Sequence, residues 1–301
     1  MFRLIMGILL ISNLSIFSAA FGMHEITCGL VLRRLAEVAH NKLILNSTQK
    51  KYWKLIKNKE FEKAQKLKER TLTKMRTAKA AQRLKFVDGI TGPRLVRLRG
   101  GIWGVFKPTH PEKGLPRKEE AAFLLSELWG LHLVPFVVTR KLAGINGTLS
   151  LYVPRTTVAI NLSHESYDGL MGNSSIRIFD YLIGNFDRHS SNLLVYRKGE
   201  VKEQIAIDQG NAFRGDESDS LQFLNHFDRK LHPAGRLAPA LFNVELYRPS
   251  DPLLNKIKSI SDQQLRFLLK DFLTGPEIEM LIKRKHHLIE TFDQVEKRKG
   301  A

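Results

Sequence analysis

The sequence predicts an α+β protein of two lobes, the first rich in strands and the second in helices, behind a basic helical extension. Three observations carry that expectation. A long run near the amino terminus, TQKKYWKLIKNKEFEKAQKLKERTLTKMRTAKAAQRL, contains no Pro or Gly and repeats its apolar residues near helical spacing. Short apolar runs set between Gly and Pro pairs come next, the punctuation of strands and hairpins. From Ser163 onward helical patterning dominates, apart from one strand pair, and two capping-box spacings mark helix starts.

The first residues, MFRLIMGILLISNLSIFSAAFG, place one positive charge before an apolar stretch and then small residues. That order predicts an export signal over residues 1–22, cleaved after Ala20 or Gly22; an uncleaved anchor is the alternative, but the stretch is short and broken by Ser12, Asn13 and Ser15. The protein is therefore expected outside the cytoplasm, periplasmic or secreted. Cys28 is the single cysteine, so no intramolecular disulfide forms and the domain must stand on its core, a pattern more usual in a bacterial envelope. With 43% hydrophobic and 26% charged residues, disorder is excluded.

The extension over 23–90 carries Trp53, Ile56, Phe61, Ala64, Leu67, Met75 and Ala78 as an apolar stripe among Lys and Arg. Between Lys50 and Arg99 there are 17 Lys and Arg against 4 Asp and Glu, so most of the net charge of +18 is concentrated there. The run has three readings: a solvated helix whose stripe packs on the next lobe, a surface that attracts acidic substrate or anionic lipid and polymer, or a nucleic-acid surface. Export, and the lack of an aromatic stacking platform, disfavour nucleic acid. The first reading combined with steering of an acidic substrate is preferred.

The strand-rich lobe spans 91–155. LVRLRGGIWGVFKP reads as two strands joined at Gly100-Gly101, and RKEEAAFLLSELWGL as an amphipathic helix ending near Gly130. VPFVVTRKLAGINGTLSLYVP reads as a hairpin turning over Gly144 to Gly147. In the helical lobe, 156–301, NLLVY and QIAID form a strand pair. Ser261 with Gln264 and Thr274 with Glu277 have capping spacing, and the last helix runs from about Glu277 to Lys297.

The apolar segment IFDYLIGNFDRHSSNLLVY breaks off for a polar insert, which belongs on a loop held by buried neighbours. Asp187 and Asn192 lie within it, and Asp208 follows in IAIDQG. A carboxylate, an amide oxygen and a second carboxylate after a hairpin suit metal-assisted phosphoryl transfer: Asp187 to accept or orient the proton of an attacking hydroxyl, Asn192 and Asp208 to offer hard oxygen ligands to Mn2+ or Mg2+. That chemistry also needs a cation on the nucleotide phosphates and an anion to hold it. Lys107 ends an apolar strand, and Glu119, or its neighbour Glu120, opens the following helix. Gly100, Gly101 and Gly104 offer a phosphate-covering turn, a weak signal alone.

Five pieces stand in one order: GVFKP, EEAAFLLSELWGLHLVPFVVTR, INGTLSLYVP, IFDYLIGNFDRHSSN and IAIDQGNAFRG. In them the chain resembles the secretory-pathway kinases, the Golgi casein kinase and four-jointed group, whose atypical protein-kinase-like fold is related to the HipA-like and phosphoinositide kinases. The resemblance covers residues 95–215 by motif order. It implies that Lys107 pairs with Glu119 and holds phosphate, that Leu151, Tyr152 and Val153 line an adenine pocket, that Asp187 is the catalytic aspartate and that Asp208 is the metal aspartate. It further implies ATP with Mn2+ or Mg2+ and a protein Ser/Thr or sugar hydroxyl as acceptor. Two departures matter: Asn192 stands where the animal casein-kinase members have Glu, and their disulfides cannot form here, which points to a distant, bacterial relative.

A lone DxxxxN would be read as a polar loop; with Lys107, Glu119 and Asp208 in order, the enzyme reading gains. Arg188 suits a substrate contact or a structural ion pair, His189 a bracing role within the loop, and His286 and His287 a surface helix. The rival readings are a HipA-like or phosphoinositide-type kinase and a non-catalytic nucleotide-binding pseudokinase or basic adaptor.

Overall fold

A computed structural model describes residues 48–86, 93–109, 116–154, 156–159, 174–185, 188, 190–198, 201–213 and 251–299, all within one compact unit, Thr48–Ala301. The leader over 1–22, Cys28, Asp187 and His189 lie outside the described residues. Among the described residues no helix is long and apolar enough to cross a membrane.

Two helices open the described chain, α1 Thr48–Lys57 and α2 Phe61–Thr77. They are separated at Asn58–Glu60, where Lys59 takes φ +59°. Their stripe packs inward through Tyr52, Trp53, Ala64 and Met75, while Lys51, Lys54, Lys57, Lys63 and Lys66 face water. Phe61, expected in the stripe, is 59% exposed. The helical pattern does not run on to residue 90: Ala80–Phe86 is strand β1, paired antiparallel with β2 Arg94–Leu98. Its Ala, Gln, Arg, Leu and Lys are good helix formers, and strand pairing overrides that preference. The five-stranded sheet therefore begins at Ala80, within the stretch expected to be helical.

β3 Trp103–Pro108 follows the Gly100-Gly101 turn, whose φ values of +88° and +82° only glycine adopts freely. With β4 Val137–Leu142 and β5 Ile145–Leu151 these strands form a five-stranded antiparallel sheet in the order β1-β2-β3-β5-β4. The β4–β5 hairpin turns on two residues, Ala143 and Gly144, both at positive φ as a type I′ turn requires. The turn does not extend to Gly147, which is inside β5 opposite Pro108. A Cβ there would lie 2.2 Å from the Lys107 carbonyl oxygen, so glycine lets β5 approach the strand that carries Lys107.

α3 Pro116–Leu128 is not amphipathic as expected. Ala121, Ala122, Phe123, Leu125 and Ser126 are all buried, so the helix is enclosed on most sides as a core helix. Trp129, just beyond it, meets Phe179 edge-on at 6.4 Å and joins the two halves of the core. Phe179 belongs to α4 Ser174–Ile183, which is buried from Ile176 to its end.

The second sheet has three antiparallel strands, β6 Thr156–Val158, β7 Leu193–Lys198 and β8 Val201–Ala206, in that order. Three helices close the chain: α5 Asp251–Ser259, α6 Asp262–Leu269 and α7 Gly275–Lys299. The Ser261–Gln264 capping box is complete, the Ser261 hydroxyl accepting from Gln264 N and the Gln264 amide oxygen from Ser261 N. Glu277 caps α7 by accepting from both Thr274 N and Thr274 Oγ1, at 2.8 and 3.0 Å.

Candidate active site

β3 alternates Gly104 and Phe106 into the core, and Lys107 comes next, at the end of the strand. Its Nζ donates to Glu119 Oε1 at 3.0 Å and lies 3.0 Å from Asp208 Oδ1. Burial works against the charged lysine, yet the two carboxylates, Glu119 foremost, outweigh it and hold its pKa above the ordinary lysine range. An ammonium has three donors. Two serve these carboxylates, and the third can serve a phosphate oxygen.

The structure separates the two glutamates the sequence leaves open. Glu119 faces Lys107, whereas Glu120 accepts from Arg76 at 2.9 Å and from Thr139 N at 2.6 Å. Successive helical residues are rotated by about 100°, so adjacent side chains serve different neighbours.

Asp208 follows β8 with φ +61°, a left-handed conformation that Asp tolerates better than most residues. Ile207 N donates to Asn192 O at 3.1 Å, which places Asn192 and Asp208 at the same end of the β7–β8 hairpin. The Asp208 carboxylate is 41% exposed, and Asn192 is buried. A reachable carboxylate, with Asn192 at the same hairpin end, is the pair of oxygen donors these residues could offer a Mg2+ or Mn2+ ion.

Arg188 is a buried brace, and a structural ion pair is the correct reading of the two. Its guanidinium holds the Asp180 carboxylate through both arms, Nε to Oδ2 at 2.9 Å and Nη2 to Oδ1 at 3.0 Å. Its Nη1 donates to Ile207 O at 2.7 Å and to Asn192 O. Asn185 Nδ2 adds a further bond to Asp180 at 3.2 Å. The described neighbours of Asp187, Asn185 and Arg188, are thus fixed to one buried carboxylate beneath the hairpin. Asp180 was not singled out in the sequence; an acid within the apolar run IFDYLIG, eight residues before an Arg, is the signal that marks it.

The structure thus brings Lys107, Glu119 and Asp208 into contact and sets Asn192 beside Asp208. Gly100 and Gly101 are elsewhere: the turn they form opens β3, and Lys107 is near its far end, about 20 Å away at strand spacing. Leu151, Tyr152 and Val153 leave β5 toward β6, with Leu151 and Val153 buried and Leu151 level with Gly104, three residues along from the Lys107–Thr148 pair. His286 is on the surface as expected, bonded to Asp262 at 2.9 Å, and the exposed His287 meets Tyr181 Oη at 2.9 Å.

The helical extension is fastened to the helix that carries Glu119. Glu127, two turns beyond Glu119, receives Lys68 Nζ at 3.1 Å, His132 Nδ1 at 2.7 Å and the Tyr52 hydroxyl. Trp53 Nε1 donates to His132 O at 3.0 Å, and Gln49 Oε1 accepts from Phe136 N at 3.0 Å. Burial opposes ionisation of Glu127, but His132, Tyr52 and Lys68 together hold its pKa below the ordinary glutamate value.

Among solved structures, that of hydra Fam20 with sugar is similar to this chain at a TM-score of 0.53 and 19% identity, over 76% of this chain and 88% of that one. The Golgi casein kinase structure gives 0.49 and 15%, over 76% and 75%. That of the Helicobacter pylori proinflammatory kinase CtkA gives 0.44 and 11%, over 71% and 92%. The profile of the family Phosphatidylinositol 3- and 4-kinase matches residues 173–253, the stretch from α4 through the polar loop and Asp208 into α5. No curated protein sequence matches the chain. The Fam20 likeness shows the fold, an atypical kinase-like one.

Proposed function

We propose that this protein is an exported ATP-dependent kinase that transfers the γ-phosphoryl group to a hydroxyl of a protein Ser or Thr, or of a sugar. The observation that carries the reading is the Lys107 ammonium set 3.0 Å from both Glu119 and Asp208. A cation held by one buried acid, beside a second acid that is partly open to solvent, is the layout for gripping nucleotide phosphates next to a divalent ion. The kinase-like fold and the phosphoinositide-kinase profile over the polar loop support it.

In this reading Lys107 binds the α- and β-phosphate oxygens, and Glu119 keeps its side chain aimed at them. Asp208 and Asn192 would hold Mn2+ or Mg2+, which when bound neutralises charge on the phosphates. Asp187 takes the proton of the acceptor hydroxyl as its oxygen bonds to the γ-phosphorus and the bond to the bridging oxygen breaks, releasing ADP. Arg188 and Asp180 act one step back, by fixing the chain on either side of Asp187. The apolar leader supports export, and the lysines exposed on α1 and α2 support attraction of acidic acceptors.

The test is incubation of the purified protein with γ-labelled ATP and Mn2+ or Mg2+, with casein as an acidic acceptor. Label on casein or on the protein itself, abolished by Asp208→Ala and by Asp187→Ala in folded protein, is the expected result. Nucleotide that raises the melting temperature without any transfer points to a sugar acceptor or a pseudokinase. Neither transfer nor stabilisation overturns the kinase reading.

A further inference from the structure

The first turn of α3 spells Arg117, Lys118, Glu119 and Glu120, and each of the four reaches a different part of the molecule. Arg117 donates to Asp271 O at 3.3 Å, Glu119 faces Lys107, and Glu120 faces Arg76 and Thr139 N. Lys118 has the widest reach. Its Nζ lies 2.8 Å from Glu277 Oε1, and donates to Ala212 O at 3.0 Å and to Phe213 O at 3.4 Å. Only 12% of the side chain is exposed.

These partners belong to two elements, the segment that follows Asp208 and the first turn of α7. Ala212 and Phe213 come four and five residues after Asp208. That segment is already bent by an Ala212 N to Gln209 O bond, by the Asp208 φ of +61° and by a Phe213 φ of +57°. Phe213 N is fixed to Ile183 O at 2.8 Å, so the carbonyls that Lys118 reads sit on an anchored backbone. Glu277 divides its carboxylate: Oε2 caps α7 through Thr274, and Oε1 faces Lys118. The rotation of α3 about its own axis is thus keyed to the Asp208 segment and to α7, by the residue next to Glu119.

We propose that Lys118 is a positioning residue which holds the Glu119 helix and the Asp208 segment in the one arrangement where Lys107 meets both carboxylates. The proposal rests on the kinase reading above. The Lys118 ammonium is committed to Glu277 and two carbonyls, and so acts through Glu119 and Asp208. Without its ammonium the carbonyls of Ala212 and Phe213 lose a shared donor, Glu277 loses its cation, and among the described residues α3 keeps only the Lys107 bridge as its tie to the Asp208 segment. A displacement of about 1 Å at that distance from the reacting atoms is enough to cost on the order of 100-fold in rate.

The experiment compares the full chain with Lys118→Met, Lys118→Arg and Glu277→Gln. The readouts are kcat and KM for Mn2+-ATP with casein, the Mn2+ concentration at half-maximal rate, and the shift in melting temperature caused by Mn2+-ADP. Lys118→Met is expected to lower kcat about 100-fold, to raise the half-maximal Mn2+ concentration and to shrink the Mn2+-ADP shift. Lys118→Arg restores most of kcat, because the cation still reaches Glu277. Glu277→Gln falls between, since its amide oxygen still accepts from Thr274. A folded Lys118→Met with wild-type kcat and Mn2+ dependence overturns the proposal, and so does an unaltered Glu277→Gln if Lys118→Met does not fold. A wild-type chain that neither turns over nor binds Mn2+-ATP instead overturns the kinase reading on which this rests.

Discussion

The Lys107 ammonium lies 3.0 Å from the Asp208 carboxylate, so the next-to-last residue of β3 and the second residue after β8 meet across the two sheets. Removing that ammonium leaves two acids near one another with no cation between them. Lys107→Met is expected to lower kcat/KM for ATP by about 100- to 1,000-fold, the range for loss of one preorganised electrostatic contact. Because both acids raise its pKa, the lysine stays charged throughout the neutral range. Its stabilising contribution is complete below the ordinary value of 10.5 and is lost only as the pH climbs through the still higher folded value. A pH–rate profile should therefore show no Lys107 limb below that point, and an alkaline limb near pH 9 that vanishes in Lys107→Met would contradict the assignment.

Glu119 and Glu120 differ in partner and should differ in phenotype. Glu119→Gln is expected to abolish most nucleotide-dependent stabilisation while shifting the melting temperature little. Glu120→Gln weakens the Arg76 pair and the bond from Thr139 N, and should cost about 1–2 kcal/mol of stability with nucleotide response retained. The Arg76 side chain is 50% exposed, so most of that cost comes from the Thr139 bond. Melting curves with and without Mn2+-ADP separate the two cases.

Arg188 and Asp180 form a buried, two-armed pair, and cutting one partner leaves a buried charge alone. Arg188→Met should cost about 3–5 kcal/mol by denaturant unfolding. Arg188→Lys is expected to recover only part of this, because an ammonium cannot supply the planar fork that spans both Asp180 oxygens and the two carbonyls.

Glu127 joins the extension to α3, and its depressed pKa gives the joint an acid limit. A carboxylate with a lowered folded-state pKa stabilises fully above its ordinary value of 4.5, and that stability drains away as the pH falls through the folded value below it. Glu127→Gln should be less stable than wild type at pH 7 and converge with it as the pH falls below 4.5, in thermal melts across pH 7 to 3. A constant difference between the two at every pH would sink this account.

Gly147→Ala places a methyl carbon 2.2 Å from the Lys107 carbonyl oxygen. The strands must separate, at a cost of about 1–3 kcal/mol, and the strain falls on the strand that carries Lys107. Reduced stability together with a weaker Mn2+-ADP shift is the expected pair of results.

Lys107, Glu119 and Asp208 could be read from the sequence because each is tied to a local pattern: the end of an apolar strand, the first turn of a helix, the close of a hairpin. Asp180 leaves a local signal too, its partners being only five and eight residues on, whereas Lys118 and Glu127 leave none, because what defines them is a distant partner. Lys118 meets a carbonyl 94 residues away, and Glu127 a tyrosine 75 residues away. The strand β1 was misread for a different reason. Its residues favour helix on their own, and only the presence of β2 decides otherwise. The Gly100-Gly101 turn shows the limit of composition. A pair of glycines marks the bend, but strand register decides which end of β3 it faces, and that end is not the one near Lys107.

The docking of α1 and α2 has a consequence for how the chain is made. Gln49, Tyr52 and Trp53 are synthesised 75 to 87 residues before the groups they bind. At about 5–20 residues per second, that gap lasts roughly 4–17 s. Throughout it, the indole and phenol rings of α1 have no surface to cover them. The exposed lysines at 51, 54, 57, 63 and 66 add charge that favours solubility of the two helices until residues 127 to 136 have been made. In the finished protein the same lysines stay on the solvent side of α1 and α2.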